Sequence, residues 1–418
     1  MAKIVIIGGG WSGCAAAIAA RKTGADVEIL ERTDLLLGLG NVGGIMRNNG
    51  RFTATEENIA MGATELFAIT DKCATHKNVD FPGHEHATFY NVVKVEPEVR
   101  RLMKVMGIGV HLITRITDVI KDGSRIIALE SAEGDRFEGD AFVDCTGTTG
   151  PMGNCMEFGN GCSMCVLRCP AFGPRVSISE KAGGHDYYGK RADGTPGAFS
   201  GSCKLEKSSL SETIVKELNE NGVVVVPLPK ELINESKLSA KVCRQYALRP
   251  FAENVILIDT GYAKMMTPFF PLAELRQVKG FENARFVDPY AGGKGNSIRY
   301  MAITERDAFM QVADVDNLFC GGEKSGPFIG HTEAISTGSL AGHNAGRALR
   351  DEELLTLPES TAIGSLLTYK KPDGGMITFA GDEFFVHMKE TGLYTTDVDQ
   401  IASRIKSVGL TEIYNSLN

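Results

Sequence analysis

The first thirty residues alternate between apolar runs and small side chains in the order expected of a β-α-β unit. Residues 2–7 are typical of a buried strand, residues 14–20 of a helix with small apolar side chains, and residues 27–30 of a second strand. The turn between the first strand and the helix reads Gly-Gly-Gly-Trp-Ser-Gly, and Glu31 follows the second strand. A glycine turn and an acidic residue in these places predict a dinucleotide-binding domain.

The glycines of this turn have separate roles in a dinucleotide site. Gly8 lets the strand turn sharply, Gly10 lets the backbone approach a pyrophosphate, and Gly13 brings the helix close to the sheet. The N–H groups at the start of the helix favour phosphate, and Glu31 stands where a carboxylate accepts a ribose hydroxyl. The first β-α-β unit, the glycine-rich stretch at residues 38–44 and the two segments described next together predict the cofactor-binding residues. These are Gly8, Gly10, Ser12, Gly13, Glu31, Arg32, Gly43, Gly147, Gly322, Glu323, Gly330 and Thr332.

A second strand–glycine–helix element lies near the other end of the chain. Residues 318–320 predict a strand that ends at two glycines, and small residues from about 332 to 347 predict a helix. Residues 141–150 predict a third segment that returns to the cofactor. Because NAD needs only the first element and a longer cofactor uses all three, the predicted cofactor is FAD. The start of the second helix would face the flavin ring, which makes His331 a catalytic candidate.

These patterns predict an α/β fold with a Rossmann-type FAD-binding domain of the GR2-like kind. We predict that this domain is discontinuous and consists of residues 1–150 and 301–350. Residues 151–300 would form a smaller inserted α+β domain that contributes the substrate contacts. Residues 351–418 would form a helical C-terminal tail.

Composition excludes several classes of protein. The 418 residues are 43% hydrophobic and 23% charged without an apolar run of membrane-spanning length, which predicts a soluble protein with no membrane contact. Because a strand begins at once, no signal peptide is expected and the predicted location is cytoplasmic. The net charge of −8 provides no general attraction to nucleic acid. The oligomeric state is left open, with a homodimer as one option.

Three segments of the C-terminal part, residues 275–287, 318–347 and 357–369, carry a family resemblance. In order and spacing the chain resembles the TrmFO branch of the GidA flavoproteins, whose members are FAD- and folate-dependent tRNA (uracil-5-)-methyltransferases. The resemblance implies a two-domain fold with FAD in the larger domain. It also implies a Cys-Ser-Asn-Ser segment after the first β-α-β unit, where this chain has a glycine-rich stretch at residues 38–44. That stretch is either a plain loop or a set of N–H groups that contact FAD.

The cysteines supply the other candidate chemistry. Four of them follow the spacing C-x6-C-x2-C-x3-C-P, at Cys155, Cys162, Cys165 and Cys169. The last three match the end of a ferredoxin run, which predicts an iron–sulfur cluster, although four thiolates also suit zinc. Cys162 and Cys165 alone would suit a catalytic redox pair, and a cysteine-rich loop without ligand is the remaining alternative. Cys145 or Cys203 would be a substitute fourth ligand, because the Cys155 spacing departs from that of ferredoxins.

Two function classes follow. In the first, an FAD-dependent oxidoreductase passes electrons through the cysteines to a small molecule or a redox-protein partner, with NAD(P)H as co-substrate. In the second, the protein is a tRNA (uracil-5-)-methyltransferase that uses FAD and methylenetetrahydrofolate. The cysteine run, the acidic composition and the missing Cys-Ser-Asn-Ser segment favour the first class, so tRNA is not the preferred partner at this point.

Overall fold

The computed structural model describes residues 1–148, 168–189, 198–200, 203–239, 244–267, 270–287, 297–299, 302–371 and 375–415. The strands of these residues are β1 (Lys3–Ile7), β2 (Asp26–Leu30), β3 (Ile45–Met46), β4 (Ala74–Phe81), β5 (His84–Tyr90), β6 (Gly109–His111), β7 (Ile116–Asp122), β8 (Arg125–Ser131), β9 (Arg136–Glu138), β10 (Ala141–Asp144), β11 (Asp186–Tyr188), β12 (Ala198–Ser200), β13 (Cys203–Leu205), β14 (Val223–Pro227), β15 (Asn254–Asp259), β16 (Ala263–Met265), β17 (Ser297–Arg299), β18 (Ala302–Thr304) and β19 (Leu318–Cys320).

The α-helices of the same residues are α1 (Trp11–Lys22), α2 (Gly40–Gly43), α3 (Gly50–Ala60), α4 (Glu65–Lys72), α5 (Val95–Val105), α6 (Cys169–Phe172), α7 (Ile178–Lys181), α8 (Glu212–Asn221), α9 (Ser236–Ser239), α10 (Pro250–Glu253), α11 (Leu272–Leu275), α12 (His331–Ala348), α13 (Ala362–Thr368), α14 (Asp382–Glu390) and α15 (Val398–Ser407). In the described part of the chain, every helix is too short or too polar to span a lipid bilayer.

A five-stranded parallel sheet forms the centre of the fold, in the order β19-β10-β1-β2-β6. Its middle strands are apolar almost throughout because helices and a second layer cover both faces, as parallel sheets require. The strands predicted at residues 2–7, 27–30, 141–144 and 318–320 are all present in this sheet. The predicted α/β fold with a Rossmann-type sheet is therefore confirmed.

Helices α1 and α12 pack against each other on one face of this sheet through small residues. A methyl group added at Gly338 would lie 2.2 Å from the Ser12 carbonyl oxygen, and one at Gly342 would lie 2.0 Å from that of Ala16. Glycines four positions apart on α12 thus let the backbones of the two helices approach closely. The predicted small-residue helix is present, and this packing explains its composition.

A second region is built from antiparallel strands. The sheet β13-β16-β15-β14 packs around its own core, which includes Leu257, Phe270 and Phe281. The hairpin of β4 and β5 shares a further core with residues 246–266, so part of the first 150 residues packs on this second region. The proposed domain boundaries at residues 150, 300 and 350 remain a prediction.

The C-terminal residues return to the FAD-type domain. Buried Glu57 on α3 accepts hydrogen bonds from Ala362 N and Ile363 N at the start of α13, at 2.9 and 3.1 Å. Arg404 on α15 approaches the same carboxylate at 3.3 Å. The predicted helical tail is therefore attached through the buried carboxyl group of Glu57, which caps the start of α13.

Candidate functional site

A cleft of about 520 Å³ runs along the carboxyl edge of the parallel sheet. This edge is where dinucleotides bind in open α/β sheets. The residues that line the cleft and matter below are Gly8, Gly10, Trp11, Ser12, Glu31, Arg32, Arg115, Gly147, Thr148, Arg168, Arg175, Lys204, Gly322, Glu323, Gly330 and His331.

The glycine turn before α1 forms the middle of the cleft. Gly8 has a φ of 96°, and a methyl group on it would lie 2.4 Å from the Cys145 carbonyl oxygen. A methyl group on Gly13 would lie 1.8 Å from the Gly8 carbonyl oxygen. A methyl group on Gly10 would meet nothing within 4 Å, because this residue faces the cleft. No side chain caps the N-terminus of α1, so its first N–H groups are available to bind a phosphate.

Glu31 marks one end of the cleft and is held in place by its neighbours. One carboxylate oxygen accepts from Gly9 N at 2.7 Å, and the other accepts from Thr33 N at 2.8 Å and from Thr33 Oγ1 at 2.9 Å. Arg32 beside it donates to the Gly173 carbonyl oxygen. This is the arrangement expected for a carboxylate that binds a ribose hydroxyl.

The start of α12 marks the other end of the cleft. Gly330, with a φ of 150°, precedes the helix, and no side chain caps it. The Tyr90 hydroxyl donates to the Gly40 carbonyl oxygen at 2.7 Å and lies 3.2 Å from Nδ1 of His331. Because the tyrosine proton is directed at Gly40, Nδ1 of His331 is the donor in the second contact. The His331 ring is thereby fixed at the helix N-terminus, beside the cleft.

The glycine-rich stretch at residues 38–44 folds into the short helix α2, and side chains from the second region bind its carbonyl groups. Lys204 Nζ donates to the Asn41 carbonyl oxygen at 3.0 Å, and Lys264 Nζ donates to that of Gly43. A methyl group on Gly43 would lie 1.7 Å from the His331 ring. The N–H groups of residues 40–43 donate to carbonyls of residues 37–39. These four N–H groups are therefore used within the turn.

A buried polar network lies behind the cleft and fixes its glycine loops. The Asp144 carboxylate accepts from Ser179 and Thr146, and the ammonium of Lys324 contacts Ser177 at 2.7 Å and also Asp186. Burial alone would raise the pKa of Asp144, but the Lys324 charge and these hydrogen bonds lower it below its usual value. Asp144 is thus an ionised group that holds the loop after β10.

Most of the predicted cofactor residues line this cleft. Those that line it are Gly8, Gly10, Ser12, Glu31, Arg32, Gly147, Gly322, Glu323 and Gly330, together with the catalytic candidate His331. Gly13, Gly43 and Thr332 do not line it. Gly13 packs on Gly8, Gly43 packs on the His331 ring, and the Thr332 side chain lies 3.4 Å from Thr55 inside the protein.

The predicted cysteine site falls mostly outside the described residues, which include Cys169 but not Cys155, Cys162 or Cys165. Cys169 Sγ lies 3.7 Å from Arg32 Nη1. Of the substitute ligands, Cys145 Sγ lies 3.3 Å from Ser12 Oγ, and Cys203 is buried in the core of the antiparallel sheet. Among the described residues, no three His, Cys, Asp or Glu side chains form a set that could hold a metal ion.

No sequence motif pointed to two cations of the cleft or to the contact of its tryptophan. Lys204 lies on a three-residue strand that belongs to no motif, and Arg115 lies just before β7. Trp11, inside the glycine turn, packs edge-on against Tyr90 with 6.0 Å between ring centroids. The tryptophan itself is visible in the sequence of the glycine turn, but its contact with Tyr90 is not.

Comparison with protein families gives a match over most of the chain. The family model described as Glucose inhibited division protein A matches residues 3–246 and 253–353. Among solved structures, GidA of Aquifex aeolicus in its form II crystal has a TM-score of 0.64 at 15% sequence identity, over 97% of this chain and 76% of that chain. This likeness supports the fold described above.

Curated relatives match shorter stretches. The methylenetetrahydrofolate–tRNA-(uracil-5-)-methyltransferase TrmFO of Streptococcus uberis is 37% identical over 94 residues, which are 22% of this chain and 20% of that protein. TrmFO of Lactococcus lactis subsp. cremoris (strain SK11) is 31% identical over 138 residues, 33% of this chain and 29% of that protein. The matched stretches thus span 20% and 29% of the length of these two relatives.

Proposed function

This chain belongs to the GidA family, and on that premise we propose that it is an FAD-dependent enzyme whose cofactor lies in the cleft between Glu31 and His331. The single observation that carries the proposal is this cleft, which joins two uncapped helix N-termini and a ribose-type carboxylate along one sheet edge. FAD is the cofactor expected of this family.

The described residues fit FAD. Gly10 leaves its side of the cleft open, so a pyrophosphate can approach the start of α1. Glu31 would accept a ribose hydroxyl, while Gly330 and His331 at the start of α12 would lie beside the flavin ring. When bound, FAD supplies hydride-transfer chemistry. The cleft residues of this chain would bind and orient it.

For the reaction, we propose the activity for which the curated relatives are named, which is transfer of a one-carbon unit from methylenetetrahydrofolate to uracil in tRNA. The family match and these names support the methyltransferase more than the oxidoreductase with a cysteine relay that the sequence favoured. Reduced nicotinamide would serve as the electron donor. Folate and tRNA are the proposed partners.

An NAD(P)H-dependent oxidoreductase is the second candidate, and three observations favour it. The glycine-rich stretch beside His331 carries no thiol, and burial raises the pKa of the Cys145 thiol in the cleft to about 12. Arg47 and Arg51, which follow the glycine-rich stretch, are both paired with carboxylates: Arg47 with Glu56 and Asp71, and Arg51 with Glu333. Their charges are therefore already neutralised and add little attraction for tRNA phosphates.

The test separates the two candidates. Purified protein is incubated with NADPH, labelled methylenetetrahydrofolate and tRNA transcripts, and the label in uracil is measured. The Gly10→Val variant serves as the flavin-free control. Label in uracil that depends on Gly10 supports the methyltransferase. Oxidation of NADPH with a small acceptor, without label in uracil, would favour the oxidoreductase instead.

A flavin measurement tests the common premise. The flavin released from the protein by heat is identified by chromatography and counted per chain. About one FAD per chain is expected. Protein that neither retains nor takes up FAD would contradict the whole proposal.

A further inference from the structure

Lys204 and Lys264 lie directly opposite each other on neighbouring strands. They are register partners in the antiparallel pair of β13 and β16, and both side chains extend to helix α2. Like charges directly opposite each other destabilise a sheet. The arrangement therefore has a cost in the folded protein that a nearby negative charge would remove.

Lys204 is the member of the pair that lines the cleft. Its ammonium donates to the Asn41 carbonyl oxygen and lies 5.5 Å from the centroid of the Tyr262 ring. Within the described ranges, no carboxylate lies within ion-pair distance of it. Burial alone accounts for the lowered pKa of Lys204, which shows how far the group is removed from water.

The position of Lys204 along the cleft assigns it to the flavin end. Arg32 and Arg168 contact the segment of Gly173 and Asp34 beside Glu31, at the ribose end. Lys204 instead contacts α2, whose Gly43 packs against the His331 ring. Of the two lysines that the second region extends to α2, Lys204 is thus the one that lines the cleft near the start of α12.

Resting on the proposed function, we propose that the Lys204 ammonium stabilises the negative charge that the flavin ring acquires when it is reduced. Reduced nicotinamide transfers a hydride, that is one hydrogen with two electrons, so that FAD becomes FADH⁻ and the nicotinamide becomes NAD(P)⁺. The ring gains one negative charge and no counter-ion in this step. A fixed cation at the ring favours the reduced form without reorganisation.

The experiment compares the flavin reduction potential of the wild type with that of four variants, by equilibration with a reference dye. Lys204→Met removes the charge and keeps the chain length, Lys204→Gln keeps a donor for Asn41 but no charge, and Lys204→Arg keeps the charge. Lys216→Met on the exposed face of α8 is the control for a lost lysine in the same region.

We expect the Met and Gln variants to show at least a tenfold lower ratio of reduced to oxidised flavin than the wild type at the same dye potential. The Arg and Lys216→Met variants should stay within twofold. Equal potentials in all five proteins would overturn the role of Lys204 while FAD binding stands. An Arg variant shifted as far as Met would overturn it too, since only the hydrogen-bond geometry would then matter. If the Met variant retains no flavin, the reduction potential of the Gln variant tests the role of the Lys204 charge. A wild type without FAD would instead contradict the proposed function.

Discussion

At the residue scale, Gly10 and Gly13 stand three positions apart but are constrained by different neighbours. Gly10 has an extended backbone that any residue can adopt, and a side chain there would enter only the cleft. Gly13 lies against the Gly8 carbonyl oxygen inside the protein. One glycine is therefore needed for the ligand and the other for the fold.

Valine substitutions should separate these roles. Gly10→Val should be colourless, because its side chain occupies the space of the pyrophosphate, and should melt at the temperature of the FAD-free wild type. Gly13→Val should lose roughly 3 kcal/mol or more of stability, because the backbone must move to admit the side chain. Flavin absorbance and thermal unfolding measure the two effects. A yellow Gly10→Val protein would show that the pyrophosphate lies elsewhere.

Glu31 offers a second test at this scale. Glu31→Gln keeps the size of the side chain but removes its charge, and its amide nitrogen cannot accept from Gly9 or Thr33. We expect FAD binding to weaken on the order of tenfold to a hundredfold, the range for hydrogen bonds to charged groups. Asp26→Asn on the exposed start of β2 is the matched control. Equal dissociation constants in both variants would exclude Glu31 from the site.

At the level of secondary structure, the packing of α1 against α12 fixes the distance between the two ends of the cleft. Both helices start at the cleft, and their contact runs over Gly338 and Gly342. A change in this contact would move one N-terminus relative to the other. Positioning of the cofactor thus depends on helix packing some distance from it.

Gly342→Ala tests this dependence. The added methyl group would lie 2.0 Å from the Ala16 carbonyl oxygen, so the helices must separate. Although alanine favours helix formation, we expect a net loss of roughly 1–3 kcal/mol in urea unfolding and faster release of flavin. Stability that rises, with flavin retained as in the wild type, would show that the helices do not control the cleft.

The elements that could be predicted from the sequence are those with a signal in their own residues. The strands and helices of the parallel sheet were predictable because each has a local apolar pattern and a glycine signal, as at Gly8 and Gly322. The position of Lys204 was not, because it depends on β13 pairing with β16 and on their approach to α2, more than 160 residues earlier in the chain. The buried pair of Arg51 and Glu333 was not predictable either, because no local pattern around one residue indicates the other.

At the scale of the whole molecule, the stability of the fold should depend on pH through one histidine. His343 on α12 is buried against Tyr414, and among the described residues neither ring nitrogen has a hydrogen-bond partner. Burial, aided by Arg347 and Arg350, lowers the pKa of His343 to about 4. The unfolded chain binds the proton at higher pH than the folded one, so stability is full above about pH 6.5 and falls toward pH 4.

The expected loss from this group is on the order of 3 kcal/mol between pH 6.5 and pH 4. Urea unfolding at pH 7 and pH 5 should show part of it in the wild type and less in His343→Leu, which has no proton to bind. His111→Gln, at a partly exposed position, controls for removing a histidine. An identical pH dependence in wild type and His343→Leu would exclude this histidine as the cause.

The order of strands in the parallel sheet determines when the cofactor cleft can form during translation. Strand β10 ends at Asp144. Its neighbour β19 and helix α12, which completes the cleft, are formed by residues 318–348. A chain emerging from the ribosome therefore carries the glycine turn and Glu31 long before the far wall of the cleft has been translated. We expect ribosome-bound chains that stop short of residue 331 to leave added FAD in solution, and chains extended through residue 415 to capture it. Uptake of the vitamin-derived cofactor then becomes a late event in biosynthesis, and cells short of riboflavin would accumulate completed but colourless chains.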